Sequence, residues 1–167
     1  TIDPNVGVVE VPDLRLQKLT ELVKPKKTVP TTFEFTDIAG IVKGASRGEG
    51  LGNKFLSHIR QVDAICQVVR CFEDENITHV AGKVDPIADI ETINLELVLA
   101  DLESVDKRIA RVAKIAKTKD KDAVAELAVL EKIKPVLEEG QLARTIEFTD
   151  EELPIVKGLF LLTTKPM

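Results

Sequence analysis

Apolar residues recur along this chain with three different spacings, and each spacing predicts a different element. Val6 to Val11 alternates between apolar and other residues, as a half-buried strand does, until Pro12 stops it. Leu16, Leu19 and Val23 then follow helical spacing behind Asp13, a natural N-cap. Lys24 to Pro30 is a breaker loop, and Phe33 to Ile38 is a second strand that can pair antiparallel with the first. Gly40, Gly44, Gly48, Gly50 and Gly52 follow it closely, and an amphipathic run, Phe55 to Arg60, comes next. Ala64 to Phe72 is almost continuously apolar, which predicts a strand buried on both faces of a parallel sheet.

From Ile87 the period changes. Leu95, Val98, Leu102, Val105, Ile109, Val112 and Ala116 step by three and four, which is a coiled-coil seam. The spacing predicts a helix over 90–117, capped by Asp89 and about 40 Å long. Thr118 to Asp122 makes a turn, and a second helix carrying Leu127, Leu130 and Leu137 runs back to Gly140. Pro135 predicts a kink or an early stop in it. Thr149-Asp-Glu-Glu152 is a capping box for one more short helix, and residues 158–167 lead toward a further strand. Strands at both ends and a long helical hairpin between them give an α/β sheet domain with an inserted antiparallel arm. The divisions are 1–86, 87–145 and 146–167.

Composition narrows the class. With 44% hydrophobic and 31% charged residues, the 167-residue chain has a globular balance. A net charge of −5 argues against nucleic-acid binding by the whole surface but leaves room for a local basic patch. Such a patch exists: Lys107, Arg108, Arg111, Lys114, Lys117, Lys119 and Lys121 place seven cations in fifteen residues around the arm's tip. Lys107, Arg111 and Lys114 share one helical face, which is either a solvated surface or a phosphate-contacting one. Cys66 and Cys71 point to opposite faces of the expected strand and read as buried free thiols. No apolar run is long enough to span a bilayer and no signal-peptide pattern opens the chain, so a cytoplasmic setting is expected.

The chemistry concentrates where the second strand ends. Asp37 stands at a strand's carboxyl end, where an acid can hold a Mg²⁺-bound water. Three residues on, the N–H of Gly40 can approach a terminal phosphate with no side chain in the way. The full string Asp37-Ile-Ala-Gly-Ile-Val-Lys-Gly-Ala-Ser-Arg-Gly-Glu-Gly-Leu-Gly-Asn-Lys-Phe-Leu56 resembles switch II of the Obg-related P-loop NTPases. Ala39, where Obg proper usually has proline, resembles the Obg-like ATPase branch, the YchF family. The loop from Glu73 to Pro86 and the helix after it resemble that branch as well. Thr1-x-x-Pro-Asn-x-Gly-x-Val9 is similar to the end of switch I and its following strand.

That resemblance implies an incomplete Ras-like P-loop domain with a coiled-coil insertion, and an ATPase, with GTP as the alternative to ATP, that uses Mg²⁺. Asp37, Ile38, Ala39, Gly40 and Ile41 would form switch II, with Asp37 and Thr1 near the metal and Gly40 at the phosphate. Ile41 and Val42 occupy the place of a water-orienting glutamine and cannot hydrogen-bond water. The family's loop histidine matches His79, which becomes the catalytic candidate. His58, on the helix after switch II, reads as packing or solvent-facing. Ribosome association, implied by the family, gives the arm's cations an RNA partner, with protein partners as a further option and no membrane role. Two other readings stand beside this one: an Obg-type GTPase of ribosome assembly, and a helical docking module that nucleotide only regulates.

No Gly-x-x-x-x-Gly-Lys-[Ser/Thr] occurs in these residues, and no base-selecting motif follows the last strand. In the family's strand order, the phosphate-loop strand lies between the Phe33 and Ala64 strands, so this stretch alone leaves their edges unpaired. The 167 residues expressed alone are therefore expected to be inactive and to aggregate or unfold. Differential scanning calorimetry checks this, and a reversible cooperative melt would contradict it.

Overall fold

The computed structural model describes residues 5–38, 52–79 and 81–167, with side chains in the second stretch from residue 56 onward. The chain forms two compact units, Thr1–Gly40 and Ile41–Met167.

In the first unit, β1 (Asn5–Glu10) and β2 (Thr32–Asp37) pair antiparallel in the register Val6↔Thr36, Val8↔Glu34 and Glu10↔Thr32. The two strands and their antiparallel pairing agree with the sequence, but the half-buried face expected of β1 is not seen, since all six of its residues are exposed. Between them, α1 (Leu14–Val23) starts at Asp13, whose carboxylate accepts the Arg15 N–H at 2.8 Å. It stops at Lys24, which takes the left-handed conformation at φ 46°. Val6, Val8, Phe33 and Phe35 stay about half exposed, so the described residues supply no layer over this sheet.

The second unit is built on α3 (Pro86–Ala116) and α4 (Lys121–Glu138). At about 1.5 Å per residue, the 31 residues of α3 run roughly 46 Å. Its start lies four residues before the expected one. Asp85, not Asp89, is the N-cap, and its side chain accepts the Ala88 N–H at 3.2 Å. Pro86 fits behind it because the first helical position has no N–H to satisfy. The seam packs as its period requires: Val98, Val105 and Val112 are buried against Val129, Leu130, Ile133 and Leu137 of α4. Leu102, Ile109 and Ala116 flank that core, whereas Leu95 is half exposed. Asp120 caps α4 through the Ala123 N–H at 2.8 Å. Pro135 lies within the last turn of α4, and the helix ends three residues later, with Gly140 at φ 75° just beyond.

The returning chain forms a 3₁₀ turn at Ala143–Thr145 and then α5 (Leu153–Leu159). The capping box closes in both directions. Thr149 N–H donates to Glu152 at 2.8 Å, and Glu152 N–H donates to the Thr149 hydroxyl at 3.3 Å. Lys132, 2.9 Å away, and the Thr149 N–H together hold the Glu152 carboxyl below the usual carboxylate range.

Two expected strands are absent from this unit. Residues 64–71 have no regular structure, Val68 is 92% exposed, and Cys66 and Cys71 are free but exposed rather than buried. A strand buried on both faces needs ladder partners. The described residues offer this run one backbone–backbone bond, Ile65 N–H to the Pro166 carbonyl at 2.9 Å. Residues 161–167 likewise form turns, because their N–H groups go elsewhere. Leu162 and Thr163 N–H donate to the Asp101 carboxylate at 2.9 and 2.7 Å, and the Thr163 hydroxyl adds a third bond at 2.7 Å.

Asp101 is fully buried on α3. Arg60, at the end of α2 (Gly52–Gln61), reaches it at 3.5 Å. The same guanidinium donates to the Phe160 carbonyl at 3.0 Å and to the Ser104 hydroxyl at 3.0 Å. Lys165 in turn caps α2 by donating to the carbonyls of Arg60 and Val62. One carboxylate thus joins α2, α3 and the chain's last segment. Burial pushes its pKa above the ordinary range, against the pull of the Leu162, Thr163 and Arg60 donors.

Asp101→Ala would leave those donors facing a cavity and is expected to cost about 3–5 kcal/mol in urea unfolding of the complete protein. Because the folded-state pKa is raised, the titration of this group adds stability below the ordinary carboxylate pKa. That increment is lost as pH rises through the folded value. Wild-type stability relative to Asp101→Asn should therefore decline with rising pH across that window. A flat difference would contradict the raised pKa.

Candidate nucleotide switch and histidine loop

Asp37 is the last residue of β2, and its exposed side chain makes no hydrogen bond or ion pair among the described residues. A hard carboxylate oxygen at a strand end suits Mg²⁺, directly or through water. Ile38, half-buried, follows it. Thr1, Ala39, Gly40 and Ile41 lie outside the described residues. Among the described residues, no group of three or more His, Cys, Asp or Glu side chains could close around a metal.

His79 sits in a loop that its own sequence builds. Arg70 folds back and donates to the carbonyls of Phe72 at 3.0 Å, Ile77 at 2.9 Å and Asp74 at 3.1 Å. Asp74 accepts the Asn76 N–H at 2.9 Å, turning the chain. Gly82 N–H then bonds the His79 carbonyl at 3.0 Å, with Gly82 at φ 79°, a conformation glycine adopts without strain. The imidazole is 17% exposed and engaged at both nitrogens. Nε2 lies 3.0 Å from Asp89 Oδ2, and Nδ1 accepts the Ala81 N–H at 3.2 Å. A nitrogen that accepts an N–H carries no proton, so the network assigns a neutral ring with its proton on Nε2, donated to Asp89. Asp89, read from the sequence as a helix cap, is instead the partner of His79.

His58, on α2, is half-buried, and its Nε2 is enclosed without a hydrogen-bond partner among the described residues, a packing position.

The arm's cations divide into two kinds. Lys107 pairs with Glu103 on α3, and Arg108 pairs across the hairpin with Glu126 on α4. The hydrogen bond from Arg108 to Glu126 raises the guanidinium pKa. Arg111 and Lys114 form no ion pair among the described residues. A cleft of about 270 Å³ opens beside the Arg108–Glu126 pair and is lined by Ala125, Pro154, Ile155 and Leu159. It contains neither Asp37 nor His79. Among the described residues, no helix is long and apolar enough to cross a membrane.

The family model described as "50S ribosome-binding GTPase" matches residues 1–132. The chain belongs to that family. Within it the chain is of the YchF type, an Obg-like P-loop NTPase. It is 74% identical over 167 residues to the "Ribosome-binding ATPase YchF" of Bacillus subtilis, covering all of this chain and 46% of that protein. It is 58% identical over 166 residues to the protein of the same name from Escherichia coli O157:H7, covering 99% of this chain and 46% of the other. The solved structure of the Schizosaccharomyces pombe YchF GTPase matches with a TM-score of 0.78 at 47% identity. That match covers 99% of this chain and 46% of the solved one. The chain thus spans about half the length of the relatives it matches. The incomplete P-loop fold agrees with the expectation from sequence. Its described β-structure is the small antiparallel pair β1–β2.

Proposed function

We propose that these residues are the switch and arm portion of a cytoplasmic, Mg²⁺-dependent nucleoside triphosphatase that couples hydrolysis to ribosome binding. The observation that carries the reading is the 74% identity, across the whole chain, to a protein named a ribosome-binding ATPase. ATP is the favoured substrate on that ground. The "GTPase" in the names of the matching family and of the fission-yeast structure keeps GTP as the second choice. In this reading residues 1–86 and 146–167 belong to the nucleotide domain, and 87–145 form the arm.

Each residue has a role its chemistry can fill. Asp37 and Thr1 would hold Mg²⁺, Asp37 through its exposed carboxylate, and the Gly40 N–H would meet the terminal phosphate. Bound there, Mg²⁺ would neutralise charge developing on the phosphate oxygens. Ile38, Ala39 and Ile41 complete switch II, and Ile41 offers no hydrogen bond to an attacking water. The task of positioning that water falls to His79, whose imidazole can both accept and donate a hydrogen bond. In the full-length protein, His79→Ala is expected to lower steady-state ATP hydrolysis by about 100-fold with nucleotide affinity intact. An unchanged rate would remove His79 from the mechanism.

The arm supplies the contact to ribosomal RNA. Lys107 and Arg108 are already paired with Glu103 and Glu126, so Arg111 and Lys114 carry the contact in this reading. Co-sedimentation with ribosomes at several salt concentrations checks it in the full-length protein. Arg111→Glu with Lys114→Glu should weaken binding and reduce the slope of log affinity against log salt by about 1–2. An unchanged slope and affinity would rule out that surface.

A further inference from the structure

The proposed role of His79 needs a ring nitrogen free to meet water, and neither one is free. Nδ1, the only lone pair of the neutral ring, accepts the Ala81 N–H at 3.2 Å. Nε2, the only N–H, is given to Asp89 at 3.0 Å. The side chain is 17% exposed, so solvent reaches little of it. We propose that Asp89 is a restraint on His79: it holds the ring in a withheld arrangement that must open before the ring can position water. The inference rests on the reading of His79 as the water-positioning residue.

The surroundings suit a restraint that can open. Asp89 sits in the first turn of α3, where the helix's N-terminal N–H groups favour a negative charge and keep the carboxylate a ready acceptor. It is not the N-cap, since Asp85 fills that position, so the helix does not depend on it. Its side chain is 31% exposed and has no other hydrogen-bond partner among the described residues. The bond to His79 is thus partly solvated. Breaking it exchanges it for bonds to water at modest cost. Lys83, 3.9 Å from Asp85, is a neighbouring cation near this end of the helix. The loop ahead of His79 keeps its shape independently through the three carbonyls that Arg70 binds. The ring can leave Asp89 without unravelling the loop.

A restrained group acts only in the fraction of molecules where it is released, and removing the restraint raises that fraction. In the full-length protein, Asp89→Ala is therefore expected to raise basal ATP hydrolysis by about 3–10-fold. Asp89→Asn, whose amide oxygen can still accept the Nε2 proton, should fall between wild type and Asp89→Ala. Adding His79→Ala to Asp89→Ala should abolish the gain. Nucleotide affinity equal to wild type identifies the variants as folded. As an independent readout, ¹⁵N NMR of the ring should find an Nε2–H protected from exchange with water in the wild type and a rapidly exchanging one in Asp89→Ala.

If His79→Ala slows hydrolysis while Asp89→Ala leaves it unchanged or slower, the restraint is wrong and the reading of His79 survives. If His79→Ala has no effect, both fall together.

Discussion

A single buried carboxylate sets the geometry of the larger unit. Asp101 lies inside the protein on α3 and accepts two backbone N–H groups and a hydroxyl from Leu162 and Thr163, with Arg60 of α2 as its counter-charge. Burying a charge without partners would cost far more than the fold could supply. The four contacts are therefore a condition for this arrangement rather than an addition to it. They also decide the fate of the last segment. Its N–H groups are committed to a side chain on the arm, and Arg144 takes its carbonyl at Lys165 at 2.8 Å. The root of the hairpin and the returning chain are consequently one structure, and α2 is attached to it through Arg60 and Lys165.

What could be read from the sequence was whatever depends on local spacing. The Val98–Val105–Val112 seam, the Asp13 cap, the Thr149–Glu152 box and the Gly140 stop all act within a few residues of themselves, and all appear where expected. The Ala64–Phe72 run failed for the opposite reason. A buried strand depends on neighbours supplied by other parts of a chain, and an apolar run does not say whether they are present. The cap lies at Asp85 rather than Asp89, although both precede a helical pattern. Only the proline at 86 separated them, since proline belongs at the first helical position and so marks Asp85 as the cap. Asp101 gave one faint signal: an acid four residues after Leu97 and four before Val105, on a face otherwise apolar or small.

The site divides in the same way. Asp37 was picked out by a strand end and a motif, and it is indeed the last residue of β2, exposed and without a hydrogen bond or ion pair among the described residues. The histidine loop was legible only in part. A lone His79 in a polar loop points to chemistry, but its two hydrogen bonds come from a residue two positions on and one ten positions on. The pairing changes what the ring can do. An imidazole whose lone pair and proton are both committed is not poised for catalysis, so nucleotide turnover in this reading begins with a release. The arm changed similarly: pairing of Lys107 and Arg108 within the hairpin concentrates its available charge at Arg111, Lys114 and the lysines of the tip.

The attachment of the last segment to the arm through Asp101 can be measured directly by native-state hydrogen exchange on the complete protein. The account predicts that the Leu162 and Thr163 amides exchange as slowly as those in the Val105–Val112 core of α3, because both open only when the unit opens. Exchange at Leu162 and Thr163 as fast as in the exposed 64–71 run would contradict it.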